Sequence, residues 1–164
     1  MNADPRVMEF FPSTTPRERS IEIAALLRRE IEQNGYGWFV MERKHAPGFA
    51  GVVALDDIRY EVPFEPRREI GWRLPVAVWG HGYATEAASA LLRYAFETLR
   101  WPQVIAMTAA VNARSRRVME RLGMVHDARE DFQHPRVPQD HPLKHHVLYR
   151  KFRDDRAGEL RSPK

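Results

Sequence analysis

The stretch Trp79-Gly80-His81-Gly82-Tyr83-Ala84-Thr85-Glu86-Ala87 decides how this chain is read. An apolar run through Val76 and Val78 enters it. Ala84, Ala87, Ala88, Leu91, Leu92, Ala95, Phe96 and Leu99 follow at helical spacing, a continuous apolar stripe. A strand, a loop with two glycines and a helix are therefore predicted in succession. Such a loop offers free backbone N–H groups at the positive end of a helix, which suits an anion, and a pyrophosphate above all. The signal is weak by itself, since two glycines before a helix are often only a tight turn. It is not the three-glycine dinucleotide fingerprint, and no Gly-Lys-Ser/Thr makes it a nucleotide-binding P-loop.

Upstream, Thr15-Pro16-Arg17-Glu18 predicts a helix start, with Thr15 as cap and Glu18 closing a capping box. Ile23, Leu27 and Ile31 supply its apolar face, and Asn34-Gly35 its end. Strands are predicted over 38–41, 49–55 and 69–74, the last continuing toward Val76 and Val78, with a turn or bulge at Asp56-Asp57. Pro75 removes one ladder hydrogen bond from that run, which predicts a bulge, a splay or an edge. Downstream come a buried strand over 104–110 and a helix capped by Asn112 and stopped at Gly123. A strand over 124–132, a Pro- and His-rich loop over 134–142 and a last strand over 146–152 complete the order. This is a mixed α/β domain around one sheet, over residues 1–152, with a charged, frayed tail at 153–164.

Composition agrees with one soluble domain. The chain has 164 residues, 43% hydrophobic and 29% charged. Lys and Arg exceed Asp and Glu by 26 to 22, too small an excess to mark a nucleic-acid binder. No cysteine is present, which excludes disulfides, thiolate metal sites and a cysteine nucleophile. There is no run of apolar residues long enough to span a bilayer and no signal-peptide layout at the start, so a cytoplasmic location is expected.

The resemblance becomes specific when distant blocks are taken together. They are Gly71-Trp72-Arg73-Leu74 with the 79–87 stretch, then Asn112-Ala113-Arg114-Ser115-Arg116-Arg117-Val118-Met119-Glu120-Arg121-Leu122-Gly123-Met124, then His141-Pro142-Leu143 with His146-Val147-Leu148-Tyr149. In this order the chain resembles the GNAT acyltransferase superfamily, most of all its RimJ/RimL-like ribosomal-protein N-acetyltransferase branch. The resemblance implies a mostly antiparallel sheet, flanked by helices, whose splayed central parallel strands admit acetyl-CoA. It implies that Gly80, His81, Gly82, Tyr83, Ala84 and Thr85 hold the pyrophosphate. Val76 and Val78 would offer main-chain groups to the pantetheine arm, Asn112 would contact the cofactor or its thioester end, and Arg116 and Arg117 its phosphates. Two departures stand out. Met119 occupies the position of the usual general-acid Tyr, with Ser115 as a substitute, and the strand and helix that usually precede the segment matching Asn2-Ala3-Asp4-Pro5 are not seen. The edge this leaves would favour a homodimer.

Acyl transfer by direct attack in a ternary complex needs no enzyme nucleophile. It needs an acceptor for the amine proton and a donor to the thioester carbonyl. Glu69 is the first candidate base, against the plain reading of a solvent-facing strand carboxylate. A backbone N–H near Val78 is the candidate carbonyl donor. His141 and His146 are candidate substrate contacts, and Tyr149 a secondary acid, each also readable as packing. The histidines match no zinc spacing, and no metal is expected. The expected function is acetyl transfer from acetyl-CoA to a primary amine, such as a ribosomal or other protein N-terminus or a small amine, with no membrane partner. The competing reading is a non-catalytic CoA-binding or interaction protein on the same fold.

Overall fold

Three antiparallel strands open the sheet: β1 (Trp38–Glu42), β2 (Phe49–Asp57) and β3 (Arg68–Arg73). The computed structural model describes residues 1–153. β4 (Gln103–Ala109) lies parallel to β3, and β7 (His145–Phe152) antiparallel to β4. β5 (Val125–His126) and β6 (Phe132–Gln133) both pair with β7, giving the order β1-β2-β3-β4-β7-β5 with β6 beside β7. The predicted mixed, mostly antiparallel sheet flanked by helices is the observed architecture.

β3 and β4 are in register only at Glu69 and Ile105. Beyond that pair the two parallel strands part, which is the splay predicted from Pro75. The chain does not continue as strand to Val78, however. β3 stops at Arg73, and Val76–Val78 is a single 3₁₀ turn. There the Val78 N–H donates to the Pro75 carbonyl (3.1 Å) and the Trp79 N–H to that of Val76 (3.1 Å). Proline turned the backbone onto itself rather than merely interrupting a ladder.

Alternation along β3 separates two faces. Ile70 packs with Val53, Leu55, Val104 and Ala106 beneath Ala88 and Leu92 of α2 (Tyr83–Arg93) and Met119 of α3 (Ala113–Arg121). Glu69, Gly71 and Arg73 lie on the opposite face, where Ile105 and Leu148 pack against Ile58 and Tyr60 from the connection after β2. The stripe that predicted α2 continues through a wider π turn at Tyr94–Thr98.

Several local expectations give way to competing hydrogen bonds. α1 (Arg17–Asn34) begins without a capping box: Pro16 stands at its N-cap, and the Thr15 N–H is taken by the Asn2 carbonyl (2.8 Å). Ile23, Leu27 and Ile31 are only half-buried, and Gly35 ends the helix at φ 75°. Asp56 and Asp57 do not turn the chain; they finish β2 opposite Glu69 and Arg68. The strand expected over 124–132 is split. The Asp127 carboxylate accepts the Arg129 N–H (3.0 Å) and caps a 3₁₀ turn at Ala128–Glu130, leaving only β5 and β6. Of the expected frayed tail, Arg153 closes onto the Pro102 carbonyl (2.9 Å), and residues 154–164 lie outside the described residues.

Candidate active site

Where β3 and β4 part, a cleft of about 810 Å³ passes from the glycine loop, across the sheet, to the loop after β6. Its two ends are built differently.

At the first end the wall is backbone. Gly80 and Gly82 hold φ of 81° and 80°, a conformation that disfavours any side chain, and both border open space. α2's first ladder bond is the Glu86 N–H to the Gly82 carbonyl (3.0 Å). The N–H groups of Tyr83, Ala84 and Thr85 precede it, and no side chain caps them. All three residues line the cleft, so the loop fits the pyrophosphate that the sequence led us to expect. The Trp79 indole N–H donates to the Leu74 carbonyl (2.9 Å) and pins the loop to the end of the strand. Glu86 is exposed on the first turn, and exposed His81, its ring 5.7 Å from that of Tyr83, is not part of the wall.

α3 brings Arg114, Arg117 and Arg121 to the same end, on one face of the helix. Arg116 faces away: its Nε donates to the Tyr149 hydroxyl (3.3 Å) and its Nη1 to the Ala110 carbonyl (3.1 Å). Its expected role at a cofactor phosphate is corrected on that ground. Arg114 lies over the Trp79 ring at 4.4 Å and pairs with Glu9. Asn112 borders the cleft, yet both of its polar ends are committed. Its Oδ1 accepts the Ser115 N–H (3.2 Å), and its Nδ2 donates to Thr108 Oγ1 (2.9 Å). It orients the β4–α3 junction. Ser115 and the nearly fully buried Met119 are both on the wall. Val78 borders the cleft, but its N–H is spent on the Pro75 carbonyl. Val76 is not in the wall. Neither residue continues β3 as the expected strand, and the Val78 N–H, bonded to Pro75, is not available to polarise the thioester. Beyond Glu69 the β3 edge that faces β4 has no strand partner among the described residues.

At the second end the wall is side chains. Glu69 faces the cleft at the last point where β3 and β4 pair. Burial, then the neighbouring Asp56 carboxylate, push its pKa up to about 7. The Asp56 carboxylate itself accepts the Trp38 indole N–H (2.7 Å). Tyr60 is hydrogen-bonded to His134 Nε2 (3.0 Å), while His134 Nδ1 accepts the Arg136 N–H (3.2 Å). That bond leaves Nε2 as the protonated nitrogen, donating to Tyr60 Oη and freeing the phenol proton for the cleft. Burial, then Glu69, push the Tyr60 pKa up to about 12, so the phenol keeps its proton. His146, ring centroid 4.5 Å from that of His134, is buried, and its pKa falls to about 4 chiefly through desolvation.

Of the histidines expected at the substrate, His146 is on the wall. His141 is not, because its Nδ1 accepts the Leu143 N–H (3.1 Å) within the loop. Tyr149 is excluded as an acid: it is buried outside the cleft, and its hydroxyl donates to Glu120 (3.3 Å). Sequence reasoning missed Tyr60, Arg73 and Arg136 as site residues, and named His134 only as part of a loop and among the histidines that match no zinc spacing. For Arg73 a signal was present, since Glu69 and Arg73 share a strand face by alternation.

The family model of the acetyltransferase (GNAT) domain matches residues 1–125. FsC-acetyl coenzyme A-N(2)-transacetylase of Aspergillus fumigatus is 45% identical over 60 residues, 37% of this chain and 26% of that protein, so the chain spans far less than that relative's length. The crystal structure of an acetyltransferase from Agrobacterium tumefaciens matches with a TM-score of 0.68 and 26% identity, covering 92% of this chain and 80% of that one. A GNAT-family acetyltransferase from Bacillus anthracis matches in fold with a TM-score of 0.74 at 23% identity, over 92% of this chain and 84% of that one.

Proposed function

The chain belongs to the GNAT acetyltransferase family, and from that premise we propose that it transfers the acetyl group of acetyl-CoA to a primary amine by direct attack in a ternary complex. The observation that carries this reading is Glu69, a carboxyl with its pKa pushed up to about 7, at the fork between β3 and β4. A base must be poised near the working pH to take a proton from an attacking ammonium or amine, and Glu69 is so poised.

In this reading Tyr83, Ala84 and Thr85 hold the pyrophosphate through backbone N–H groups, and Arg117 and Arg121 meet the remaining phosphate charge. The free edge of β3 holds the pantetheine arm. The amine nitrogen attacks the thioester carbonyl carbon. A C–N bond forms, Glu69 receives the amine proton, the C–S bond breaks, and the departing thiolate takes a proton from Ser115 or water. The acceptor is a protein N-terminus, as the RimJ/RimL-like blocks favour, or a small amine.

The test is a calorimetric titration with acetyl-CoA, then mass spectrometry of a panel of amines and N-terminal peptides. One-to-one binding followed by an added acetyl group on at least one amine is the expected result. Binding without any transfer would leave the chain a CoA-binding protein.

A further inference from the structure

Arg73 is a cation without an anion. It borders the cleft on the Glu69 face of β3, and no Asp or Glu among the described residues lies within ion-pair distance of it. One nitrogen, Nη1, donates to the Asn2 side-chain oxygen (3.1 Å). Nε is buried with no hydrogen-bond partner among the described residues. The guanidinium is held in place by rings, with Phe11 at 4.3 Å and Trp38 at 5.9 Å. Burial lowers its pKa, the mark of a charge removed from water without compensation.

A buried donor left unmade is costly, and a buried charge more so. Aromatic faces fix the plane of this guanidinium, which is half-buried on the cleft wall with no carboxylate among the described residues to meet its charge. A fixed planar fork of that kind suits the two oxygens of a carboxylate or a related oxyanion. Arg136, over the Tyr60 ring at 4.4 Å, adds a second positive charge at the rim of the same end. Glu69 is the cleft's own carboxylate there, four positions earlier on β3, roughly 13 Å from Arg73 between Cα atoms by strand rise.

The geometry points to an acceptor of defined class: a primary amine that carries a carboxylate or similar oxyanion, with the nitrogen at Glu69 and the anion at the cleft-facing side of the Arg73 guanidinium. This deepens the acetyl-transfer reading above and rests on it for the amine. The anion site itself can be tested without turnover.

The probes are acetylated products of increasing reach: N-acetylglycine, N-acetyl-β-alanine and N-acetyl-4-aminobutyrate, each against its own amide. Binding is followed by Trp fluorescence, since Trp38 flanks the site, in the whole protein and in Arg73→Gln and Arg73→Lys. At least one acid is expected to bind tenfold or more tighter than its amide. Gln should abolish the preference, Lys should keep part of it, and acetyl-CoA affinity should stay unchanged in both. Acids and amides binding alike across the series, or a preference that survives Arg73→Gln, would overturn the proposal. So would a loss of acetyl-CoA affinity in Arg73→Gln, which would make the cofactor the anion. If acetyl transfer fails with every amine while the acid preference stands, the enzymatic reading falls and the anion site remains.

Discussion

The two ends of the cleft solve the problem of binding with different materials. The glycine-loop end uses backbone: N–H groups at the start of α2, arranged by residues adjacent in sequence. The acceptor end uses side chains drawn from far apart: Trp38, Tyr60, Glu69, Arg73, His134 and His146. Backbone N–H groups cannot titrate, so the first end is indifferent to pH over the ordinary range. The second end is crowded with groups whose proton affinities burial has moved. In the proposed reaction the first end would hold a general anion, and the second would choose and deprotonate a particular acceptor.

The sharpest way to break this contrast is Glu69→Gln. It should cut kcat/KM by about 10²- to 10⁴-fold, the range for loss of a general base, with acetyl-CoA affinity intact by calorimetry. Equal losses in both would merge the two ends into one. Next in size is Gly82→Val. Its φ of 80° costs a branched side chain about 1–2 kcal/mol, while the space beside it is open. Weaker acetyl-CoA binding, by about tenfold or more, is expected with only modest loss of melting temperature.

Stability against pH gives a smaller, signed effect. The folded pKa of Glu69 rises from an ordinary 4.5 to about 7, so the folded state binds the extra proton in that window. The contribution of this group is therefore full below pH 4.5 and is lost as pH rises through 7. Glu69→Gln should melt higher relative to wild type at pH 8 than at pH 5, by at most about 3 kcal/mol. A pair of arginines on one helix offers the finest cut. Arg117→Ala should weaken acetyl-CoA binding about three- to tenfold, more at low salt. Arg116→Ala should leave that affinity alone and cost about 1 kcal/mol of stability, as its bonds to Tyr149 and Ala110 are structural.

The same contrast explains what could be read from sequence. The glycine loop, α2 and the Asn112 cap were legible because their causes are local: positive φ, an apolar stripe, a side chain reaching three residues on. The splay between β3 and β4 was legible through Pro75, but its form was not. The strand ends in a 3₁₀ turn closed by the Val78 and Trp79 N–H groups, and the Trp79 indole bond to the Leu74 carbonyl accompanies it, contacts no spacing announces. The resemblance points to Arg116 and Arg117 by position in the helix, without regard to which face each occupies. Helical spacing from Arg117 selects the other two. At the acceptor end Glu69 was legible by its place on a strand. Tyr60 was not, because it comes from an irregular connection whose path is set by packing against Ile105 and Leu148.

The most direct measurement is the pH profile of amine-dependent thiol release from acetyl-CoA, in wild type and Glu69→Gln. kcat/KM in the wild type should rise through a midpoint near 7 and level off, and the variant should lack that limb. A profile with the same midpoint in both proteins would contradict the account, since the proton would then be leaving through some group other than Glu69.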